Sequence, residues 1–208
     1  MYGGPGESRV LVAPADVTDR DAVAAAARLI EETWGGIDLA IFNAGGVVEG
    51  DFIATMQLNY FSVIYGIDAV VNGMLARGSG HIAAVASLAG YRPGGVSTEY
   101  GASKAAVIFL MDGLRFTLAP RGVRVTVINP GFVRTPLTDR HTFHMPFLVE
   151  ADDAAERIVR GLQRGKREIH FPAPLSWPLK LLRVLPFPVY ERVIRTLQPA
   201  PAKAEPPR

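Results

Sequence analysis

The feature that most restricts the fold of this chain is a regular exchange of apolar runs and amphipathic stretches that continues as far as Phe171. The segments 10–17, 37–42, 81–86, 123–128 and Glu168–Phe171 read as strands, apolar along their length where a half-exposed strand would alternate. Strands of that kind belong to a parallel sheet covered on both faces. Between them lie helical stretches at about 18–34, 52–77, 100–119 and 152–164. In the first helix Thr18 is the expected N-cap with Asp21 three residues on. Val23, Ala27, Ile30 and Trp34 share a face predicted to pack on the sheet, and Gly35 and Gly36 stop the helix. The expected fold is α/β, a doubly wound parallel sheet.

At 208 residues the chain has the length of one domain with a real core. The 49% hydrophobic and 20% charged content excludes disorder as the global state. With no cysteine, disulfides and thiolate chemistry are excluded. A formal charge of +2 from 22 basic and 20 acidic residues leaves no footprint for nucleic acid. No basic leader precedes an apolar run, and no run approaches the roughly 18 residues of a membrane span, so a cytoplasmic protein is expected. His141 and His144 lie three residues apart without a carboxylate at ligand spacing, and no metal is expected.

Beyond residue 172 the character changes. Pro172, Pro174, Pro178, Pro186 and Pro188 break a segment, 173–197, that still carries Trp177, Leu179, Leu182, Leu185 and Phe187 beside Lys180, Arg183, Arg192 and Arg195. That mixture suits a lid over a lipophilic substrate or a contact with a membrane surface. The alternative is a terminal helix packed on the core or on a second subunit, giving a homo-oligomer. Residues 198–208, rich in proline and alanine, are an expected disordered tail.

Tyr100 and Lys104 stand one helical turn apart, and Ser87 lies thirteen residues before Tyr100 at the expected carboxyl end of a strand, where open α/β sheets bind ligands. A phenol titrates near 10, so an ammonium one turn away is expected to favour the phenolate and make it a usable acid or base. A serine hydroxyl can hold a substrate oxygen.

Together Ser87, Tyr100 and Lys104 resemble the catalytic serine and YxxxK motif of the short-chain dehydrogenase/reductase family. The resemblance implies an NAD(P)-dependent oxidoreductase interconverting a carbonyl and a secondary alcohol. Tyr100 would exchange the proton, Lys104 would lower its pKa and bind the nicotinamide ribose, and Ser87 would orient the substrate. Asn59 resembles the family's fourth catalytic residue, which helps hold a water in the proton relay. Asn43, Ala44 and Gly45 resemble its NAG motif beside the cofactor, and Asp16 and Val17 its adenine-contacting pair. Pro130, Gly131, Val133 and Thr135 resemble the PGxVxT segment along the nicotinamide.

The resemblance covers Val10 to Phe171, whereas the family begins about fifty residues earlier. By that comparison the doubly wound sheet is Rossmann-like and lacks the first two βα units, with their TGxxxGxG loop, and residues 1–172 form an incomplete NAD(P)-binding Rossmann-type domain. Gly3, Gly4, Pro5 and Gly6 do not replace that loop, since no strand precedes them. The family's sheet order, 3-2-1-4-5-6-7, would leave strand three to drift or to close against 37–42. The second functional expectation is a catalytically silent fragment or binding scaffold.

Overall fold

A computed structural model describes residues 10–94, 98–136, 138 and 145–197. Gly3, Gly4, Pro5, Gly6, His141, His144 and the tail from 198 lie outside the described residues.

The elements follow the order α1 (Arg20–Trp34), β1 (Leu39–Phe42), α2 (Phe52–Met56), α3 (Ser62–Arg77), β2 (Gly80–Val85), α4 (Thr98–Leu118), β3 (Val123–Pro130), α5 (Ala151–Gln163), β4 (Glu168–Phe171), α6 (Ala173–Arg183) and α7 (Phe187–Leu197). The four strands form one sheet in the order β1-β2-β3-β4, every pair parallel. Ile82 and Ala84 of β2 enter a core with Val63, Ile67, Val70 and Met74 of α3 and Val107, Ile108 and Met111 of α4. Ala83, one residue out of phase, enters a second core with Ala154 and Leu162 of α5. Successive side chains of a strand point to opposite faces, so both faces of the central strands are covered, as the unalternating apolar runs predict. Burying Met74, Ile82 and Met111 completely contributes about 1.5–3 kcal/mol each.

Several expectations need correction. Residues 11–16 form no strand, and Val10 and Val12 are exposed. A strand exists through its ladder, and the sheet does not extend past β1 to receive this run. The first helix is capped by Asp19, whose carboxylate accepts from the Asp21 and Ala22 amides at 2.9 and 3.1 Å. Thr18 instead closes a turn on Asp16. Helix α1 packs against α3, not on the sheet, and Trp34 stays exposed. It ends on Gly35 at φ 82°, the left-handed conformation that glycine adopts without strain. Strand β1 starts at Leu39, two residues late, and the Ile37 carbonyl ahead of it accepts a bond from Arg77 Nη2 at 2.7 Å. The long helix expected at 52–77 is interrupted by a π turn, Gln57–Phe61. The C-terminal stretch forms two helices, and Leu175 and Leu179 of α6 pack on the larger core. Among the described residues no helix is long and apolar enough to cross a membrane.

Candidate active site

In an all-parallel sheet the carboxyl ends of the strands share one edge. That edge carries Asn43, Ala44 and Gly45 after β1, Ser87 just past β2, and Pro130 and Gly131 at and after the end of β3. Helix α4 returns to β3 and begins over this edge, so its first turns bring Tyr100 and Lys104 to it.

Ser87 is pinned locally. Its hydroxyl caps a 3-10 turn, Leu88–Gly90, accepting from the Ala89 amide at 3.1 Å, and approaches the Pro130 carbonyl at 3.5 Å. The Tyr100 phenol faces the Ser87 side chain. Burial pushes the Tyr100 hydroxyl above its ordinary value and the nearby Ser87 hydroxyl opposes this. Lys104 is 3% exposed, and its ammonium donates to the Val85 carbonyl at 2.9 Å, 5.7 Å from the Tyr100 ring centre. Burial alone pulls the amine down to about 8. From the sequence, Lys104 is expected to favour the Tyr100 phenolate. In this geometry burial outweighs any such effect, because the amine turns to the backbone of β2.

Asn59 sits in the π turn and is fully buried. Its amide makes two bonds to Gly46, Oδ1 accepting from N and Nδ2 donating to O, each at 2.8 Å. Nδ2 also donates to Ser103 Oγ at 2.9 Å, and that hydroxyl donates to the Tyr100 carbonyl at 2.8 Å. A methyl group on Gly45 would stand 2.7 Å from Asn59 Oδ1 and 2.9 Å from Lys104 Nζ, so all three meet at one point. The π turn, a feature common at functional sites, is what places Asn59 there. Ser103 and Gly46 escape sequence reasoning, although Ser103 lies inside the same YxxxK string.

The remaining expected residues are more dispersed. Val133 pairs with Val149 in an isolated parallel bridge, and the Thr135 amide donates to Thr138 Oγ1 at 2.9 Å. Asp16 is exposed, its bonds run to Thr18, and the Thr18 backbone bond holds its carboxyl below the usual range. Val17 is half-buried beside it.

The donors present suit the nicotinamide ribose, since the Lys104 amine and the Tyr100 hydroxyl can each bond a sugar hydroxyl, while Gly45 packs against Lys104 and Asn59 with no room for even a methyl group. Among the described residues no pyrophosphate cradle accompanies these donors. Among the described residues no glycine-rich turn opens directly into a helix, and the N-terminus of α1 carries Asp19 and Asp21, which repel an anion.

Residues 4–145 match the family model described as short chain dehydrogenase. A Myxococcus xanthus protein described as an uncharacterized oxidoreductase is 37% identical over 191 residues, covering 88% of this chain and 76% of its own. A similarly described Staphylococcus saprophyticus protein is 37% identical over 157 residues, covering 72% of this chain and 67% of its own. Among solved structures, a short chain dehydrogenase from Burkholderia cenocepacia in complex with NADP superposes with a TM-score of 0.72 at 27% identity, covering 86% of this chain and 79% of that one. A match of this extent, over a parallel sheet with Ser87, Tyr100 and Lys104 at its carboxyl edge, means that the chain belongs to the short-chain dehydrogenase family, whose members are NAD(P)-dependent oxidoreductases.

Proposed function

We propose that this chain interconverts a carbonyl and a secondary alcohol, with Tyr100, Ser87, Lys104 and Asn59 as its catalytic groups. The observation that carries this is the convergence of the Tyr100 phenol and the Ser87 hydroxyl at the carboxyl edge of the sheet beside the buried Lys104 amine. Ser87 holds the substrate oxygen. The Tyr100 phenol, kept protonated by burial, donates its proton to that oxygen as negative charge develops there, which suits carbonyl reduction at neutral pH. Asn59 and Ser103 fix the first turn of α4 against Gly46, so the Tyr100 hydroxyl is held in one place. When bound, the nicotinamide supplies the hydride. Lys104, Asn43, Ala44, Gly45, Pro130, Gly131, Val133 and Thr135 would line it, and Asp16 and Val17 would contact the adenine end. Tyr100→Phe should lower turnover by about 10²–10⁴-fold, the usual worth of a general acid, measured with millimolar NADPH, while leaving NADPH affinity unchanged. Retention of most of the activity would refute the role.

A lipophilic substrate is supported by the surroundings of Gly131, where an added methyl would stand within 3.3 Å of Leu175, Pro172 and Leu88 side-chain carbons. A cytoplasmic location with a peripheral membrane contact is part of the same proposal. Trp177 and Leu181 recur along one exposed side of α6, followed by the exposed Val184 and Phe187, and Arg192 and Arg195 are exposed on α7. Leu181→Glu should reduce co-sedimentation with anionic vesicles, and equal partitioning would count against the contact. A catalytically silent scaffold is the second reading. It is favoured by the absence, among the described residues, of a glycine-rich turn leading into a helix.

A further inference from the structure

Twelve residues separate Ser87 from Tyr100, and the 3-10 turn secures only the first of them, through Gly90 N to Ser87 O and Tyr91 N to Leu88 O. The residues beyond that turn are held from the far end of the chain. The buried Tyr91 hydroxyl donates to Glu168 Oε1 at 2.5 Å, while Lys180 of α6 donates to Oε2 of the same carboxylate at 2.6 Å. Arg183, also on α6, lies 5.4 Å over the Tyr91 ring. Asn129 Nδ2 adds a bond to Glu168 at 2.8 Å, tying this junction to the end of β3. The Arg92 guanidinium donates to the Leu185 carbonyl between α6 and α7 at 2.9 Å and stacks 4.5 Å from the Tyr190 ring. The Tyr190 hydroxyl then donates to the Pro93 carbonyl at 2.6 Å.

Three successive residues, Tyr91, Arg92 and Pro93, are therefore each gripped by the C-terminal helices. Tyr190 is buried although its neighbours Pro188 and Val189 are exposed, so the ring is directed inward to this segment. The Arg92 Nη1 nitrogen is buried without a hydrogen-bond partner. An unpaired buried donor is unfavourable, so this residue is kept in place by its other contacts.

We propose that the α6–α7 pair positions the segment between Ser87 and Tyr100, with Tyr190 and Arg92 as positioning residues, and so shapes the substrate side of the site. Its kinetic consequence rests on the oxidoreductase function proposed above; its structural content does not. Ordering a connecting segment requires contacts that offset the lost chain entropy, and here those contacts come from residues about a hundred positions away in sequence.

Hydrogen exchange on the whole chain tests this without turnover. Tyr190→Phe deletes one hydroxyl and keeps the ring. It should speed exchange across residues 88–94 by about fivefold, the equivalent of one net hydrogen bond, with Arg92→Gln acting in the same direction. Arg195→Ala, whose bonds run to Glu191 on α7 itself, should leave 88–94 unchanged. If both test variants loosen α7 alone and leave 88–94 at the wild-type rate, the proposal is overturned. In active protein Tyr190→Phe should raise KM several-fold with a much smaller change in kcat. A wild type with no turnover would sink the catalytic proposal and leave the exchange result standing.

Discussion

The two ends of the sheet are finished differently. At β4, Ile169 and Phe171 pack into the core under α5, while Glu168 and His170 on the other face bond to Lys180 and Ser176 of α6. At β1 only one face is covered by the described residues. Ala40 and Phe42 join the core under α3, but Leu39 and Ile41 point the other way and are 43% and 45% exposed. Beyond β1 no further strand pairs among the described residues. The chemistry is distributed along the same gradient. Ser87, Tyr100, Lys104 and Asn59 sit where both faces are packed, and among the described residues nothing comparable surrounds Asp16, the proposed adenine contact.

The largest expected consequence is in dinucleotide affinity. A pyrophosphate site normally gathers several charge-assisted bonds of about 1.5–3 kcal/mol each. Lacking two of them should weaken binding by about 10²–10⁴-fold. Titration of the 208-residue chain with NADPH, followed by nicotinamide fluorescence, should show no saturation in the micromolar range. Micromolar affinity would break the contrast between the two ends and remove the support for a silent scaffold.

Next in size is self-association through β1. An unpaired edge flanked by exposed Leu39 and Ile41 offers a template for another strand. The wild type should therefore form soluble aggregates as its concentration rises, and Leu39→Lys with Ile41→Lys should suppress them in light scattering. A wild type that stays monodisperse at high concentration would show that the edge is harmless.

The packed end was the legible one. Continuous apolar runs announced β2 and β3, and the spacing of Tyr100 and Lys104 survives because a helical turn is a local property of the chain. Residues 10–17 misled for the opposite reason, since strand propensity reports fit to a neighbouring surface and residues 11–16 form no strand of this sheet. The π turn at Asn59 left no mark, because Gln57–Phe61 reads as ordinary helix and the extra residue is fixed by the amide bonds to Gly46. Likewise the junction at Glu168 joins residues 77 and 39 positions apart in sequence, Tyr91 and Asn129, which no periodicity can connect. The same distance hid the grip of Tyr190 on Pro93.

The smallest effect concerns the charge buried at the packed end. Burial pulls the Lys104 amine from 10.5 to about 8, so the folded chain gives up this proton at lower pH than the unfolded chain does. Below pH 8 both states hold the proton and the folded state bears the whole desolvation cost. Between pH 8 and 10.5 the unfolded chain binds more protons, so stability climbs with pH. The full rise is bounded at about 3 kcal/mol by 1.36 kcal/mol per pKa unit. Tyr100 acts in the opposite sense. Its raised pKa makes the folded state hold the phenolic proton longer, so stability falls again above pH 10. The observable window is therefore pH 8 to 10, where urea denaturation of the wild type should show the midpoint moving up. Lys104→Met should flatten that rise while keeping the low-pH limb, and Tyr100→Phe should keep the rise and soften the decline above pH 10. A wild-type curve that is flat from pH 8 to 10 would mean that the amine keeps its ordinary pKa, and that water reaches the corner where Gly45, Asn59 and Lys104 meet.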